Sequence, residues 1–252
     1  MNYLTLPFFK ALIQKKEARI ILAFSLFPLI LLPVSLFDTN FMQLTASGGG
    51  ISFVEFFSAV LVTQNGLFLP TLVFIYLAIQ LFREEINQGI LYLYKDRQRK
   101  TILNAKLGSL ILLQLVYMGL TFISSLITYY FHLTQQGVAS GDFLTPVLPD
   151  LQEAILNSLG VGGMLFLSIL LASALSIRLS SGFTMLMSTL FSLLSYIAPL
   201  LNRLRYLFPN GYVTLLDDLS FISCLLLTLL VTLLYASLFY SSSLHFYKRT
   251  EY

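Results

Sequence analysis

The chain has 252 residues, 57% of them hydrophobic and only 11% charged, with a net charge of +3 and a mean hydropathy of +0.81. That is far more apolar sequence than a water-soluble core of this length needs, so the composition excludes a soluble globular domain. The apolar stretches are continuous rather than alternating, which excludes a membrane barrel, and the single cysteine, Cys224, excludes an internal disulfide.

The first predicted element is an interfacial helix within residues 1–19. Leu6, Phe9, Ile13 and Ile20 recur at helical spacing while Lys10, Gln14, Lys15 and Glu17 take the other face. Pro7 is acceptable there only in the first turn. A hydrocarbon core of roughly 30 Å needs about 20 apolar residues per helix, and stretches near that length run over 20–37, 60–82, 107–131, 157–177, 183–201 and 221–244. The expectation is an all-α, six-span bundle forming a single domain over 1–252. Glu17 precedes the first span and no small-x-small pattern follows it at Ser35 to Asp38, so that span is expected to be retained rather than cleaved as a signal peptide.

Within the second span, Gln64, Asn65, Gly66 and Pro70 interrupt the apolar run, and the missing N–H of Pro70 predicts a bend. Gln64 and Asn65 are candidates for a substrate path, with interhelical hydrogen bonding as the competing use. Gly160, Gly162 and Gly163 mark close packing in the fourth span. In the loop before it, Asp150 and Glu153 have the spacing of helix caps. Between the fifth and sixth spans, Pro209-Asn210-Gly211 signals a turn in a segment rich in Leu, Tyr and Phe. This segment is expected to dip into the interface, where Arg203 and Arg205 would anchor to lipid phosphate or meet a ligand, which makes them further candidates for the substrate path.

Thirteen of the 15 lysines and arginines lie in the N-terminal segment, the second–third connection, the fourth–fifth connection and the C-terminus. Only Arg203 and Arg205 lie on the other side, together with seven acidic residues. By the positive-inside rule both termini are cytoplasmic, in a multi-pass protein of the cell membrane.

No acidic or basic residue lies centrally in a span, which argues against ion-coupled transport. His132 and His245 fall at opposite ends of the predicted bundle, so no metal site is expected. A G-x-x-x-x-G-K-[ST] loop is missing, and the run Gly48-Gly49-Gly50 carries no lysine, so the chain lacks an ATPase site of its own.

The most specific segment is the connection 83–106, with Glu84, Glu85, Gly89, Ile90, Leu91, Leu93, Tyr94, Arg97, Arg99 and Lys106. Its apolar patch from Ile90 to Tyr94, bounded by carboxylates and a basic cluster, suits burial in a partner's groove. The spacing of these residues resembles the cytoplasmic coupling loop of type-2 ATP-binding-cassette transporter permeases. It departs from the family's usual Thr after the Gly and Pro before the basic residue, with Ile90 and Lys95-Asp96 in those places. The resemblance, which extends over nearly the whole chain, implies a non-enzymatic permease subunit. A separate ATPase subunit would carry ATP and Mg²⁺, and a second permease copy or paralogue would complete the complex. Small permeases of this type resemble those that export lantibiotics, other amphipathic peptide antibiotics or drugs. A membrane scaffold or assembly factor, or an ATP-independent facilitator, is the alternative reading.

The charge distribution makes a topology prediction. In a Cys224→Ser background, single cysteines at Gly48 and Ser140 should react with a membrane-impermeant maleimide in intact cells, and one at Gln98 only after permeabilisation. Labelling of the Gln98 position in intact cells would reverse the orientation.

Overall fold

A computed structural model describes residues 4–34, 50–89, 97–201 and 203–249. Among these the fold is all-helical, with one isolated bridge pairing Ile51 and Ala139. Among the described residues, four helices are long and apolar enough to cross a membrane: α7 (Arg99–Thr128, continued as a π-turn to Leu133), α8 (Leu148–Ser176), α9 (Ser181–Ile197, extended to Leu200) and α10 (Phe221–Arg249). A bent pair, α4 (Phe53–Gly66) and α5 (Leu69–Ile79, running on through Asn87), passes the same test as a fifth. Helix α8 is central, touching α4, α5, α7, α9 and α10.

The predicted span over 20–37 is not one continuous helix. It falls on α2 (Lys16–Phe24), a 3-10 turn over Phe27–Ile30 and the short α3 (Leu31–Val34), and its last three residues lie outside the described residues. Pro28 explains the break, since it cannot donate to the carbonyl four residues earlier, that of Phe24. Side chains from other helices reach the carbonyls at the break. Gln64 Nε2 donates to Phe24 O (3.3 Å) and Ser124 Oγ to Ser25 O (2.7 Å). Ahead of it, α1 (Thr5–Gln14) carries Pro7 in its first turn and lies against α7, where Gly108 lets the Thr5 methyl come within 3.1 Å of a virtual Cβ. Its buried residues are Thr5 and Leu12, while Leu6 is exposed, so the packing face is rotated from the stripe that periodicity suggests.

The bend expected between Gln64 and Pro70 is present, with the axes of α4 and α5 60° apart. It sits at Phe68, whose φ of 57° is left-handed, rather than at Pro70, which occupies the first turn of α5 where no donor is required.

The acidic end is closed by a knot around Tyr129. Its hydroxyl donates to Ile51 O (2.8 Å), with Asp142 O also in reach (3.1 Å), and accepts from the N–H of Gly141 (3.2 Å). Ser52 and Glu55 form a reciprocal capping box that starts α4. The cap expected from Asp150 and Glu153 does not form. Helix α8 begins at Leu148 with Pro149 in its first turn, Asp150 only adds charge to that turn, and Glu153 accepts from Asn157 one turn on (3.5 Å).

The glycines of α8 serve packing as expected. A Cβ on Gly160 would lie 2.9 Å from Asn210 Cα, one on Gly162 3.0 Å from Met118 Cε, and one on Gly163 3.3 Å from Thr232 Oγ1. The segment Pro209–Leu215 is a 3-10 helix held against α8 and α10. There Asn210 Nδ2 donates to Ser195 O (2.8 Å), the carbonyl four residues before Pro199.

Gly211 is the tightest point of this segment, because an added Cβ would stand 1.9 Å from the carbonyl oxygen of Arg205. Gly211→Ala should therefore displace backbone and cost at least about 2 kcal/mol. Gly182→Ala, in α9 with open space around it, should cost nothing and gain up to about 1 kcal/mol from helix propensity. Thermal unfolding of the purified protein in detergent measures both, and equal midpoints for the two variants would contradict the close approach.

Candidate functional site

The basic end of the bundle holds the six described residues among the ten singled out in the 83–106 connection. Helix α5 runs into a π-turn, Gln80–Glu84, and then the short α6 (Glu85–Asn87), so one extra residue is inserted where the connection begins. Lys106, one turn into the apolar part of α7, has a side chain with no solvent exposure, and its Nζ reaches back to this π-turn. It donates to Leu81 O (2.7 Å) and to Glu85 Oε2 (2.6 Å). The Phe82 and Tyr247 rings lie 5.3 and 5.9 Å from the ammonium. A buried ammonium is tolerated only when its donors are used and a counter-charge is adjacent. Here one carboxylate, one carbonyl and two ring faces supply that environment.

Arg99 makes the second clasp. Placed in the first turn of α7, where a cation is disfavoured by that helix's own dipole, it instead donates from Nη1 to Tyr247 O (3.2 Å) and Lys248 O (3.0 Å). These are carbonyls of the last turn of α10, where the helix dipole favours a positive charge. Tyr240 of α10 also donates to Asn104 Oδ1 of α7 (2.8 Å). A third link joins the N-terminal helices to the π-turn: Lys15 Nζ donates to Gln80 Oε1 (3.1 Å), and Gln80 Nε2 donates to Glu17 Oε1 (3.3 Å).

The structure therefore brings together Glu85, Lys106 and Arg99 at the root of the connection. Glu84 is half-buried beside them and Arg97 is exposed. Gly89 ends α6 with φ +69°, a left-handed conformation that suits glycine, and its N–H donates to Ile86 O (3.1 Å). Ile90, Leu91, Leu93 and Tyr94, the apolar patch of the sequence reading, lie outside the described residues.

The residues named for a substrate path are not brought together. Gln64 is buried and engaged at both ends of its amide, accepting from the Tyr117 hydroxyl (2.6 Å) and donating to Phe24 O. With Asn65 it borders a cavity of about 20 Å³ beside Tyr117, Met118 and Gly162, room for about one water. Its position is explained by the break at Pro28. Arg205 instead lies at the acidic end, with Nη2 3.3 Å from Asp218 Oδ2 and 3.2 Å from the Tyr206 hydroxyl, and Arg203 is exposed nearby. Among the described residues no hydrogen bond or ion pair connects either arginine to Gln64 or Asn65.

Sequence reasoning missed Tyr247, Gln80, Lys15 and Glu17 as members of the basic-end network. One signal was available: a polar residue such as Gln80 flanked by Ile79 and Leu81 needs a partner. Nothing local says that the partners are Lys15 and Glu17.

No protein-family model, curated protein or solved structure matches this chain.

The buried pair gives a double-mutant test. Glu85→Leu leaves the Lys106 ammonium buried without its counter-charge and should cost about 3–5 kcal/mol. Adding Lys106→Met should restore most of that loss, because two apolar side chains of similar size can replace a buried pair at little cost. Thermal midpoints of the two single variants and the double variant in detergent read this out. Additive losses would mean that the two groups act independently.

Proposed function

We propose that the chain is the membrane-spanning permease subunit of an ATP-binding-cassette exporter, moving amphipathic peptide antibiotics or drug-like compounds out of the membrane. In this reading the run 20–37 is a further crossing, and the segment 1–19 is an elbow along the inner leaflet. Both termini are cytoplasmic, as the distribution of basic residues favours. A separate subunit binds ATP and Mg²⁺ and hydrolyses the nucleotide, and a second permease, identical or paralogous, completes the pathway.

The observation that carries the proposal is the clasped root of the 83–106 connection. A loop that receives force from an ATPase must be anchored stiffly to the helices it moves. Here its two ends are tied to each other by Glu85 and Lys106 and to the end of α10 by Arg99. The π-turn, Gln80–Glu84, is in turn tied to α1 and α2 through Lys15 and Glu17. Displacement of the patch from Ile90 to Tyr94 by a docked partner would pass through these contacts to α5, α7, α10 and the N-terminal helices together. Polar side chains such as Gln64 and Tyr117, already satisfied within the bundle, would serve helix pairing rather than substrate contact.

Affinity purification from native membranes, with identification of every stoichiometric partner, tests the class. A co-purifying ATPase is expected, and Leu91→Asp should release it. An unpaired charge forced into an apolar contact costs several kcal/mol, and 4 kcal/mol is about a thousandfold in affinity. Neutralising Arg97 should weaken association less, and mostly at low salt, since exposed charges are screened. Retention of the ATPase and of substrate-stimulated hydrolysis in the Leu91→Asp variant would remove this loop from the coupling role. Purification without any ATPase would favour the scaffold or facilitator reading.

A further inference from the structure

Beside the clasp, at the same end of the bundle, a groove of about 380 Å³ opens on the surface between α7, α8 and α10. Its volume is in the range of sites that hold a small organic ligand, about 300–1,000 Å³. The transport reading makes no use of it. Leu107 and Ile111 of α7, Leu170 of α8 and Ala236 of α10 line its apolar part. Asn104 and Tyr240 form a polar step at the end nearer the chain's basic termini.

One face of α7 carries three chemistries in order. Lys100, exposed, is one helical turn before Asn104, and Leu107 and Ile111 follow on the same stripe. At 1.5 Å per residue the Cα of Lys100 stands about 6 Å from that of Asn104 along the axis, and the Cα of Asn104 about 10 Å from that of Ile111. Tyr240 occupies Asn104 Oδ1, which leaves the amide N–H groups of Asn104 as donors bordering the groove. The described portions of α7 and α10 contain no acidic residue, and those of α8, Asp150 and Glu153, lie at its opposite end. Glu85 is engaged by Lys106.

We propose that this groove binds an anionic glycerophospholipid: the phosphate at Lys100, an acyl ester carbonyl accepting from Asn104, and one acyl chain along Leu107, Ile111, Leu170 and Ala236. The order of cation, donor and apolar trough matches the order of phosphate, ester and chain in such a lipid, and a flexible lysine at the edge of a membrane reaches toward the headgroups. A neutral or cationic amphiphile would leave Lys100 without a counter-charge. The inference stands on the bundle's presence in a bilayer and does not depend on the transport reading.

The chain contains no tryptophan, so a single introduced one reports alone. Leu115→Trp places it one turn beyond Ile111 on the same face of α7, at an exposed position, and Leu190→Trp on the exposed side of α9 serves as the control. The full-length protein is reconstituted in phosphatidylcholine vesicles containing either brominated phosphatidylglycerol or brominated phosphatidylcholine. Half-maximal quenching at the Leu115→Trp position is expected at roughly fivefold lower mole fraction of the anionic lipid, the selectivity that one cation near a membrane surface confers. The control should show no preference.

Lys100→Gln should abolish the preference, and Ala236→Phe, which fills the trough, should reduce it. Excess inorganic phosphate should leave it unchanged. Equal quenching by the two lipids at the Leu115→Trp position would overturn the proposal. So would a preference that survives both Lys100→Gln and Ala236→Phe, or one erased by inorganic phosphate.

Discussion

A carbonyl that loses its helical partner inside an apolar bundle has to be given another donor, and this requirement organises the molecule. Water cannot reach most of these positions, and an unsatisfied backbone group in such surroundings costs several kcal/mol. Three interruptions of regular helix each receive a side chain from a distant segment. The carbonyl of Phe24, four residues before Pro28, receives Gln64. The carbonyl of Ser195, four residues before Pro199, receives Asn210. The carbonyl of Leu81, in the π-turn, receives Lys106. In each case the donor is a polar or charged side chain whose presence in a largely apolar setting is otherwise hard to account for.

These donors also set the tertiary arrangement. Gln64 ties the end of α2 to α4, and through Tyr117 to α7, so the bent second span is held on both sides. Asn210 fixes the 3-10 segment under the end of α9, where Gly160 allows backbone contact. Lys106 draws the start of α7 onto the π-turn. Because each donor is specific in length and direction, the interruptions become joints of defined geometry rather than weak points.

The basic end uses the same physics with charge added. Glu85 makes it possible for Lys106 to remain buried, and carbonyls of the last turn of α10 accept from Arg99. The result is a set of four elements, α1–α2, the π-turn, α7 and α10, joined by directional contacts where the chain leaves for the 83–106 connection.

Much of this plan was open to reading from residue types. Apolar run length implied helices of bundle-spanning size, and 107–131, 157–177, 183–201 and 221–244 each fall largely within a single long helix. The packing role of the α8 glycines and the turn at Gly89 follow from the backbone rules for glycine, which act locally, whereas the bend expected at Pro70 sits two residues earlier, at the left-handed Phe68. The discontinuity of 20–37 was equally local, since Pro28 and Pro33 stand inside that run, but apolar length alone conceals it. The partners were not legible. Nothing near Gln64 indicates Phe24, 40 residues away, and nothing in the 83–106 connection indicates that Lys106 points inward to Glu85 and Leu81 while Arg97 stays exposed. Those assignments depend on which helix faces which. Helix packing sets that arrangement through shape and shared hydrogen bonds over long sequence separation, whereas composition and periodicity carry only the local half of the code.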